Sequence, residues 1–357
     1  MMNDLRKIRA VIDKLDKQII KNLNERGKLA QKIKKAKSLS DNNNIFRPER
    51  EAQILRGLEK SNDGPLTNEN LRSIFREIIS SCLSLEKKLK ISCLGPEQSY
   101  SNIALIKFFG SSVDINFHDS INSIFDDVNT GNMDFGVVPI ENSNQGSIKI
   151  TIDRLIKEEI KICGEINLTI KHCLLSHSKN LSNIQKIYAH EQTFLQCNDW
   201  LTKNMPAAQR IFCSSNSAAA KKIKKVKNIA AIASKNCSTH YKIPILKNNI
   251  HDIADNTTRF IVIGNHDIDI SGVDKTSILI SVQNKAGALK NLLESLSINR
   301  ISMSKIESIP TKINNWEYMF LLDIDGHANS KNVSSALKDI KKKSTFYKFL
   351  GSYPKSI

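Results

Sequence analysis

Three cations on one predicted N-terminal helix are the first residues of this chain that could bind an anion. Arg9, Arg26 and Lys37 lie in a stretch, residues 4–37, that contains no proline and a single glycine. At a rise of about 1.5 Å per residue, Arg26 and Lys37 are roughly 16 Å apart and Arg9 and Arg26 roughly 25 Å apart. Long side chains of Arg26 and Lys37 could therefore clamp one small dianion, whereas Arg9 could join them only from a second chain.

The same helix carries an apolar seam with an a/d heptad rhythm. Its members are Leu5, Ile8, Ile12, Leu15, Ile19, Leu29, Ile33 and Ala36. Arg9 and Lys37 occupy flanking e positions, where charges are commonly solvated or paired between helices, so a structural role for both stays open. Arg26 occupies an a position, where a cation is costly to bury without a partner, and this favours an anion site around it.

The composition describes a chain with enough apolar residues for several cores and a marked basic excess. Its 357 residues predict two or three domains, 40% of them are hydrophobic, and the formal net charge is +17. A charge of this size makes nucleic-acid binding an alternative function. However, the lysines are scattered, aromatic residues make up only 6%, and no zinc-finger spacing or aromatic RNA-binding signature occurs. We therefore expect no nucleic-acid partner.

Cysteine and histidine usage indicates the compartment and the absence of metal chemistry. The seven cysteines are odd in number and form no C-x-x-C pair, which argues against a disulfide framework and for a reducing, cytoplasmic setting. No apolar run reaches membrane-spanning length, and the N-terminus has no signal-peptide core. The eight histidines show no H-E-x-x-H or comparable pairing. We expect no membrane association, no metal and no cofactor.

The elements that must position these residues fall into three regions. Residues 1–90 predict three helices, the second beginning at Arg47-Pro48 and the third after a Thr67 N-cap and continuing past Cys82 to Leu89. Three helices of this length bury their seams most simply in a dimer. Residues 91–266 alternate between strands and helices, which predicts an α/β domain. Residues 275–357 show a β-α-β-β-α order, the outline of a ferredoxin-like module, with a closing strand near Phe346.

One junction in the α/β region could receive an anion. A predicted strand, residues 135–140, runs into the polar loop 141–146, and a helix begins near Ser147. Free backbone N–H groups at such a helix start point toward a ligand. A plain turn would have the same sequence pattern, so both interpretations stay open at this point.

Three blocks, in this order, resemble the bifunctional chorismate mutase/prephenate dehydratase family with a C-terminal ACT domain. The blocks are Arg9, Arg26, Lys37 and Arg47–Glu51; Val138–Ser143, His190–Gln192, Gln196 and Asn256–Phe260; and Gly287–Leu289 and Glu307–Pro310. The resemblance implies a multidomain protein. It places an all-α, three-helix mutase forming an intertwined dimer in residues 1–90, a two-lobed, periplasmic-binding-like dehydratase in 91–266, and an α+β, ferredoxin-like ACT domain in 275–357.

For the mutase, the resemblance implies the Claisen rearrangement of chorismate to prephenate. This step needs no nucleophile or cofactor, only a held conformer and stabilisation of charge on the ether oxygen. Seven residues are implied for the site: Arg26 and Arg9 of a second chain on the carboxylates, Lys37 on the ether oxygen, Glu51 on the ring hydroxyl, and Arg47, Cys82 and Glu86 around them. Arg47 stands where one branch of the family has an acidic residue, and Cys82 where it has serine.

Glu86 stands where that branch has glutamine. A glutamate donates a hydrogen bond only when it is protonated. We therefore expect this mutase to favour mildly acidic pH, the alternative being that Glu86 is a solvated helix charge.

For the dehydratase, the resemblance implies loss of carbon dioxide and hydroxyl from prephenate, giving phenylpyruvate. Thr258 would assist the departing hydroxyl by orienting or relaying a proton. Five further residues are implied as substrate contacts: Glu141, Asn142, Ser143, Gln196 and Arg259, the last as a loop-positioning residue or a partner of a carboxylate. Gln192 fits the cavity or the surface equally well.

For the C-terminal region, the resemblance implies phenylalanine as an effector. The residues implied are Gly287, Ala288, Leu289, Glu307 and Ser308. Ile309 replaces the usual arginine of the Glu-Ser-Arg-Pro motif and Lys290 a common apolar residue, so we expect weakened feedback. A module that serves only dimerisation remains an alternative for this region, and a non-catalytic amino-acid sensor remains one for the whole chain.

Overall fold

The computed structural model describes residues 2–37, 46–253, 255–310 and 318–356. Two compact units divide the chain. The first contains residues 1–89 and 108–114, and the second contains residues 90–107 and 115–357. None of the described helices is both long enough and apolar enough to cross a bilayer.

The helices and strands follow one another along the described chain in the order expected from the sequence. The helices are α1 (Met2–Lys37), α2 (Pro48–Lys60), α3 (Asn68–Ser84), α4 (Tyr100–Phe109), α5 (Ile121–Asn129), α6 (Lys149–Lys157), α7 (Glu191–Gln196), α8 (Asn198–Asn204), α9 (Asn216–Lys222), α10 (Lys235–Tyr241), α11 (Ala288–Ile298) and α12 (Lys331–Lys343). The strands are β1 (Lys90–Leu94), β2 (Asp114–His118), β3 (Phe135–Asn142), β4 (Gly146–Ser147), β5 (Lys161–Thr169), β6 (Cys173–Leu175), β7 (Lys186–Ala189), β8 (Gln209–Phe212), β9 (Ile229–Ala233), β10 (Ile245–Lys247), β11 (Thr257–Gly264), β12 (Asp274–Ser281), β13 (Met303–Pro310), β14 (Tyr318–Asp325) and β15 (Phe346–Pro354).

The first unit is helical, as predicted. Pro48 lies in the first turn of α2, where its missing N–H costs nothing, and the Thr67 side chain accepts a hydrogen bond from the Asn70 N–H at 3.2 Å, capping α3. The seam of α1 is exposed in the single chain, since Leu5, Ile8 and their partners along it keep about half of their accessible surface. An apolar stripe of this length has not found its packing partner within the described part of one chain.

One prediction for the first unit was wrong. α3 ends at Ser84 rather than continuing to Leu89, because the Leu85 N–H bonds to the Cys82 carbonyl at 3.2 Å and tightens the last turn. Glu86 therefore lies in the turn after the helix. The apolar spacing continues through Leu89, but the chain must become extended to enter β1 at Lys90.

The α/β part of the second unit is built on two sheets. The first has the order β2-β1-β3-β11-β5, with β4 paired to β3, and the second has the order β10-β6-β9-β7-β8. The chain passes from the first sheet to the second after β5 and returns before β11. This gives the two-lobed, periplasmic-binding-like arrangement that was predicted.

The third sheet has the order β13-β14-β12-β15 and is fully antiparallel. Its β-α-β-β-α-β chain order agrees with the prediction. Helices α11 and α12 cover one face, while Tyr353 and Leu350 join the core around β3 and β5 on the other. β15 approaches β5 so closely that a Cβ at Gly351 would lie 2.3 Å from the Ile162 carbonyl oxygen, and only glycine fits there.

Two candidate active sites

A cavity of about 400 Å³ lies between the two lobes of the α/β part. One wall comes from the loop after β1, the β3–β4 turn and β11, and the other from α7 and the loops that begin α9 and α10. Among the described residues that line it there is no lysine, arginine, aspartate or glutamate. The cavity is therefore a neutral chamber of amides, hydroxyls and imidazoles, with apolar patches such as Phe260.

Thr258 lines this cavity, and the side-chain amide of Asn142 forms a hydrogen bond to its hydroxyl group. The Asn142 Nδ2 group donates to the Thr258 hydroxyl oxygen at 2.9 Å and to the Asn256 side-chain oxygen at 2.8 Å. The Thr258 oxygen is thus an acceptor toward the protein, and its own hydrogen is free to point elsewhere. Of the predicted dehydratase residues, the structure brings Asn142, Gln196 and Thr258 together, and Gln192 also lines the cavity.

Arg259 was predicted either to position the loop or to pair with a carboxylate, and it does not line the cavity. Successive side chains of a strand point to opposite faces, so Thr258 and Phe260 face the cavity while Arg259 faces the third sheet. Its Nε donates to Glu165 at 2.9 Å, and its other nitrogens bond to Asp323 and to the Tyr353 hydroxyl. Burial alone would lower the pKa of Arg259, but Tyr353, Asp323 and Glu165 together raise it.

Glu141 and Ser143 are also absent from the cavity lining. They flank Asn142 in the chain, and side chains next to one that faces the cavity point the other way. The Glu141 carboxylate pairs with Lys305 of β13 at 2.8 Å. The Ser143 hydroxyl donates to the Asp255 carbonyl at 2.9 Å and accepts from the Thr257 N–H at 3.0 Å, so it braces the loop that precedes β11. Both residues support the site from outside rather than contact its contents.

His172 also lines the cavity and was not predicted from the sequence. It is 1% exposed, and its Nε2 lies 2.8 Å from the Gln196 side-chain oxygen. Burial lowers its pKa to about 4, partly offset by the Gln196 bond, and the nearby His251 lowers it further. A lone histidine outside any metal or nucleophile motif gives no sequence signal, although its position just before buried strand β6 predicts burial.

The helical unit brings Arg26 and Glu51 together. Arg26 is half-buried, and its guanidinium donates to the Ile78 carbonyl at 3.4 Å. Burial raises the pKa of Glu51 to about 7, although Arg76 and Arg26 lower it. Arg76 was not predicted; it approaches Glu51 from α3 and donates to the Phe108 carbonyl at 2.9 Å.

Cys82 is buried and lines a second cavity, of about 710 Å³, between α1 and α3. Glu86 is buried just beyond the end of α3. The Arg47 Nε pairs with Glu49 at 2.7 Å at the start of α2, so its charge is already engaged. Three predicted mutase residues thus have a place beside α3 or α2.

One predicted mutase cation, Arg9, lies apart from this group. Arg9 is exposed on α1, far along the helix from Arg26. The side chain of Lys37 lies outside the described residues. A site that uses Arg9 would need a second copy of the chain.

Comparisons with known proteins match both units. The family model of chorismate mutase type II matches residues 8–87, and the prephenate dehydratase model matches residues 91–268. The bifunctional chorismate mutase/prephenate dehydratase of Aquifex aeolicus is 41% identical over 360 residues, covering 100% of this chain and 99% of the relative. The chain belongs to the bifunctional chorismate mutase/prephenate dehydratase family.

Other relatives of this chorismate mutase/prephenate dehydratase family member extend the match. The bifunctional protein of Pseudomonas aeruginosa is 39% identical, covering 99% of each chain. The crystal structure of prephenate dehydratase from Arthrobacter aurescens in complex with L-Phe has a TM-score of 0.67 and 28% identity, covering 74% of this chain and 90% of that chain.

The predicted effector residues of this family member lie on two elements of the third sheet. Gly287 caps α11 with a positive φ of 81°, which suits glycine, and Ala288 and Leu289 begin the helix. On β13, Glu307 accepts a hydrogen bond from Ser147, a residue of the dehydratase cavity wall, and pairs with Lys305 at 3.1 Å. Ser308 is exposed on the opposite face of the strand.

Proposed function

We propose that this chain catalyses two consecutive reactions at separate sites. The helical unit rearranges chorismate to prephenate, and the cavity between the two lobes converts prephenate to phenylpyruvate. The observation that carries the second assignment is the Thr258 hydroxyl, whose oxygen accepts from Asn142 at 2.9 Å and which lines the cavity. Membership of the bifunctional family supports the pairing of the two activities in one chain.

In the dehydratase step, the bond from the ring to its carboxylate breaks and releases carbon dioxide. The electron pair moves through the ring and expels the hydroxyl group, which takes up a proton and leaves as water, so the ring becomes aromatic. Because hydroxide is a poor leaving group, a donor must act on it. Thr258 is a weak acid, so its role is to donate a hydrogen bond that strengthens as charge develops on the departing oxygen.

The carboxylates of prephenate are bound by neutral donors in this proposal. No lysine or arginine is found among the described residues lining the cavity. Ser99, Tyr100 and Ser101 lie at the start of the ten-residue helix α4, where first-turn N–H groups lack intrahelical partners. Oriented N–H and O–H groups in a chamber sheltered from water can hold an anion without a formal cation.

The mutase site in this proposal is completed by a second copy of the chain. The exposed seam of α1 and the isolation of Arg9 from Arg26 both support a homodimer formed along this helix. Arg26 and Arg9 of the second copy would bind the two carboxylates of chorismate, with Lys37 and Glu86 acting on the ether oxygen. Glu51, half-protonated near neutral pH, would pair with the ring hydroxyl.

The C-terminal sheet acts as an ACT-like regulatory module, residues 275–357, in this proposal. A solved relative is a complex with L-Phe, which supports phenylalanine as the effector. Three contacts connect β13 to the turn that carries Asn142: Lys305 with Glu141 at 2.8 Å, Lys305 with the Ser147 hydroxyl at 3.1 Å, and Ser147 with Glu307. A ligand that shifts β13 would therefore move the cavity wall.

The dehydratase assignment is tested by supplying prephenate to Thr258→Val and Thr258→Ser. Removing one donor to developing oxyanion charge costs about 10²–10³ in kcat, so the valine variant should lose that much and the serine variant much less. Tryptophan fluorescence during heating serves as the folding control for the second unit in both variants, and chorismate consumption shows that the helical unit is intact. Wild-type phenylpyruvate formation by Thr258→Val would refute the assignment.

A further inference from the structure

The orientation of the Asn142 amide is fixed by the backbone around it. The Asn144 N–H lies 3.1 Å from the Asn142 side-chain oxygen, and a backbone N–H can only donate. The Thr257 carbonyl lies 3.5 Å from the Asn142 side-chain nitrogen, and a carbonyl can only accept. The Asn142 NH₂ group must therefore face Thr258 and Asn256, so its assignment does not depend on choosing between two equivalent flips.

This fixed amide sets the direction of a longer chain of hydrogen bonds. Because the Asn256 oxygen accepts from Asn142, the Asn256 nitrogen must face Gln196, and it lies 3.1 Å from the Gln196 side-chain oxygen. The same Gln196 oxygen lies 2.8 Å from Nε2 of His172. An amide oxygen can only accept, so His172 must carry its proton on Nε2.

We propose that His172, as the neutral tautomer with its proton on Nε2, is a positioning residue of the dehydratase site. It holds the Gln196 oxygen away from the cavity, so that the Gln196 NH₂ group faces the substrate. The Asn142 amide, fixed by the backbone, donates to the Thr258 oxygen and leaves the Thr258 hydrogen available to the departing hydroxyl. This inference rests on the proposed dehydratase function and adds the residue that fixes the direction of its donors.

The surroundings of His172 fit a neutral ring. The side chain is 1% exposed, and burial lowers its pKa to about 4. The Tyr100 hydroxyl donates to the Lys171 carbonyl at 2.6 Å, so it does not donate to Nδ1, from which it lies 3.5 Å away. The His251 ring, whose centroid is 6.4 Å away, adds no negative charge.

The other neutral tautomer of His172 would reverse the Gln196 amide and disable the site. If His172 carried its proton on Nδ1, Nε2 would accept from Gln196, and the Gln196 oxygen would face the substrate. A carbonyl oxygen aimed at a carboxylate repels it. His172 thus acts by orienting the Gln196 amide.

Three substitutions separate this role from simple packing. The terminal nitrogen of glutamine can occupy the place of Nε2, whereas that of asparagine matches Nδ1. With prephenate as substrate, His172→Leu and His172→Asn should each lower kcat on the order of 10²-fold, because donors are misplaced by a fraction of an ångström to an ångström. His172→Gln should recover to within about tenfold of wild type, and chorismate consumption should be unchanged in all three.

A double-mutant cycle with Gln196→Leu tests the route of the effect. If His172 acts through Gln196, His172→Leu should cause no further loss of kcat in the Gln196→Leu background. Additive losses would overturn the proposal. A wild-type kcat in His172→Leu would also overturn the proposal. If Thr258→Val were inactive in that same assay, the proposed dehydratase function would still stand, and only the role of His172 would be refuted.

The wild-type protein offers a test that does not depend on folding of a variant. In ¹⁵N spectra of histidine-labelled protein at neutral pH, His172 should show its proton on Nε2 and a bare Nδ1. A proton on Nδ1, or on both nitrogens, would overturn the proposal.

Discussion

Arg259→Met should strongly destabilise the second unit although Arg259 lies outside the cavity. The Arg259 side chain is 11% exposed, and it pairs with two carboxylates, Glu165 and Asp323, that are 3% and 2% exposed. Without the guanidinium, Glu165 keeps Lys275 at 2.7 Å and Asp323 keeps the Ser277 hydroxyl. Asp323 loses its ion pair while it remains buried, which is the costly case.

The expected loss of stability follows from leaving the Asp323 carboxylate buried without its ion-pair partner. Removing one partner of a buried ion pair costs about 3–5 kcal/mol. For a unit of this size each kcal/mol lowers Tm by about 2–4 °C, so the expected decrease is about 6–20 °C. Both tryptophans, Trp200 and Trp316, lie after residue 114 in the sequence, so tryptophan fluorescence during heating reports on the second unit alone.

A matched control uses an exposed ion pair in the same unit. Lys161 and Asp267 pair with side chains that are 31% and 74% exposed, so Lys161→Met should cost less than about 1 kcal/mol. Adding Asp323→Leu to Arg259→Met should restore much of the lost stability, because the stranded carboxylate is removed. If Arg259→Met were no less stable than Lys161→Met, the reasoning from a closed, buried ion cluster would be refuted.

Two further predictions concern the helical unit and the effector. The Glu51 carboxyl, whose pKa rises from 4.5 to about 7 on burial, holds its proton more tightly in the folded state, so stability should fall by about 1–3 kcal/mol as pH rises from 4.5 through 7. Glu51→Gln should remove this slope in urea unfolding followed by circular dichroism, and an unchanged slope would contradict it. Inhibition by phenylalanine should be weak, since Ile309 and Lys290 depart from the family motifs, and strong inhibition at micromolar phenylalanine would count against this.

The sequence allowed the order of elements to be predicted because the decisive signals are local. A few neighbouring residues determine each of these signals. They are the Thr67 N-cap of α3, Pro48 in the first turn of α2, and the order of strands and helices from β12 to β15. The separation of Arg9 from Arg26 followed from helix rise alone. The end of α3 did not, because the apolar spacing runs on to Leu89 while the requirement to enter a strand is tertiary.

The site was only partly predictable for a related reason. A motif marks a stretch of chain, but strand alternation decides which of its residues face the cavity. Thr258 faces the cavity and Arg259 the third sheet, and likewise Asn142 faces the cavity while Glu141 pairs outside it. His172 joins the site through Gln196, a contact between lobes that no local pattern encodes.

The most direct test of the central claim is a time course of the wild-type chain with chorismate as the sole substrate, with prephenate and phenylpyruvate measured separately. The account predicts that prephenate appears first and phenylpyruvate follows, and that Thr258→Val accumulates prephenate at an undiminished rate of chorismate consumption. Consumption of chorismate without phenylpyruvate in the wild type, or equal loss of both products in a folded Thr258→Val, would contradict two reactions at two separate sites.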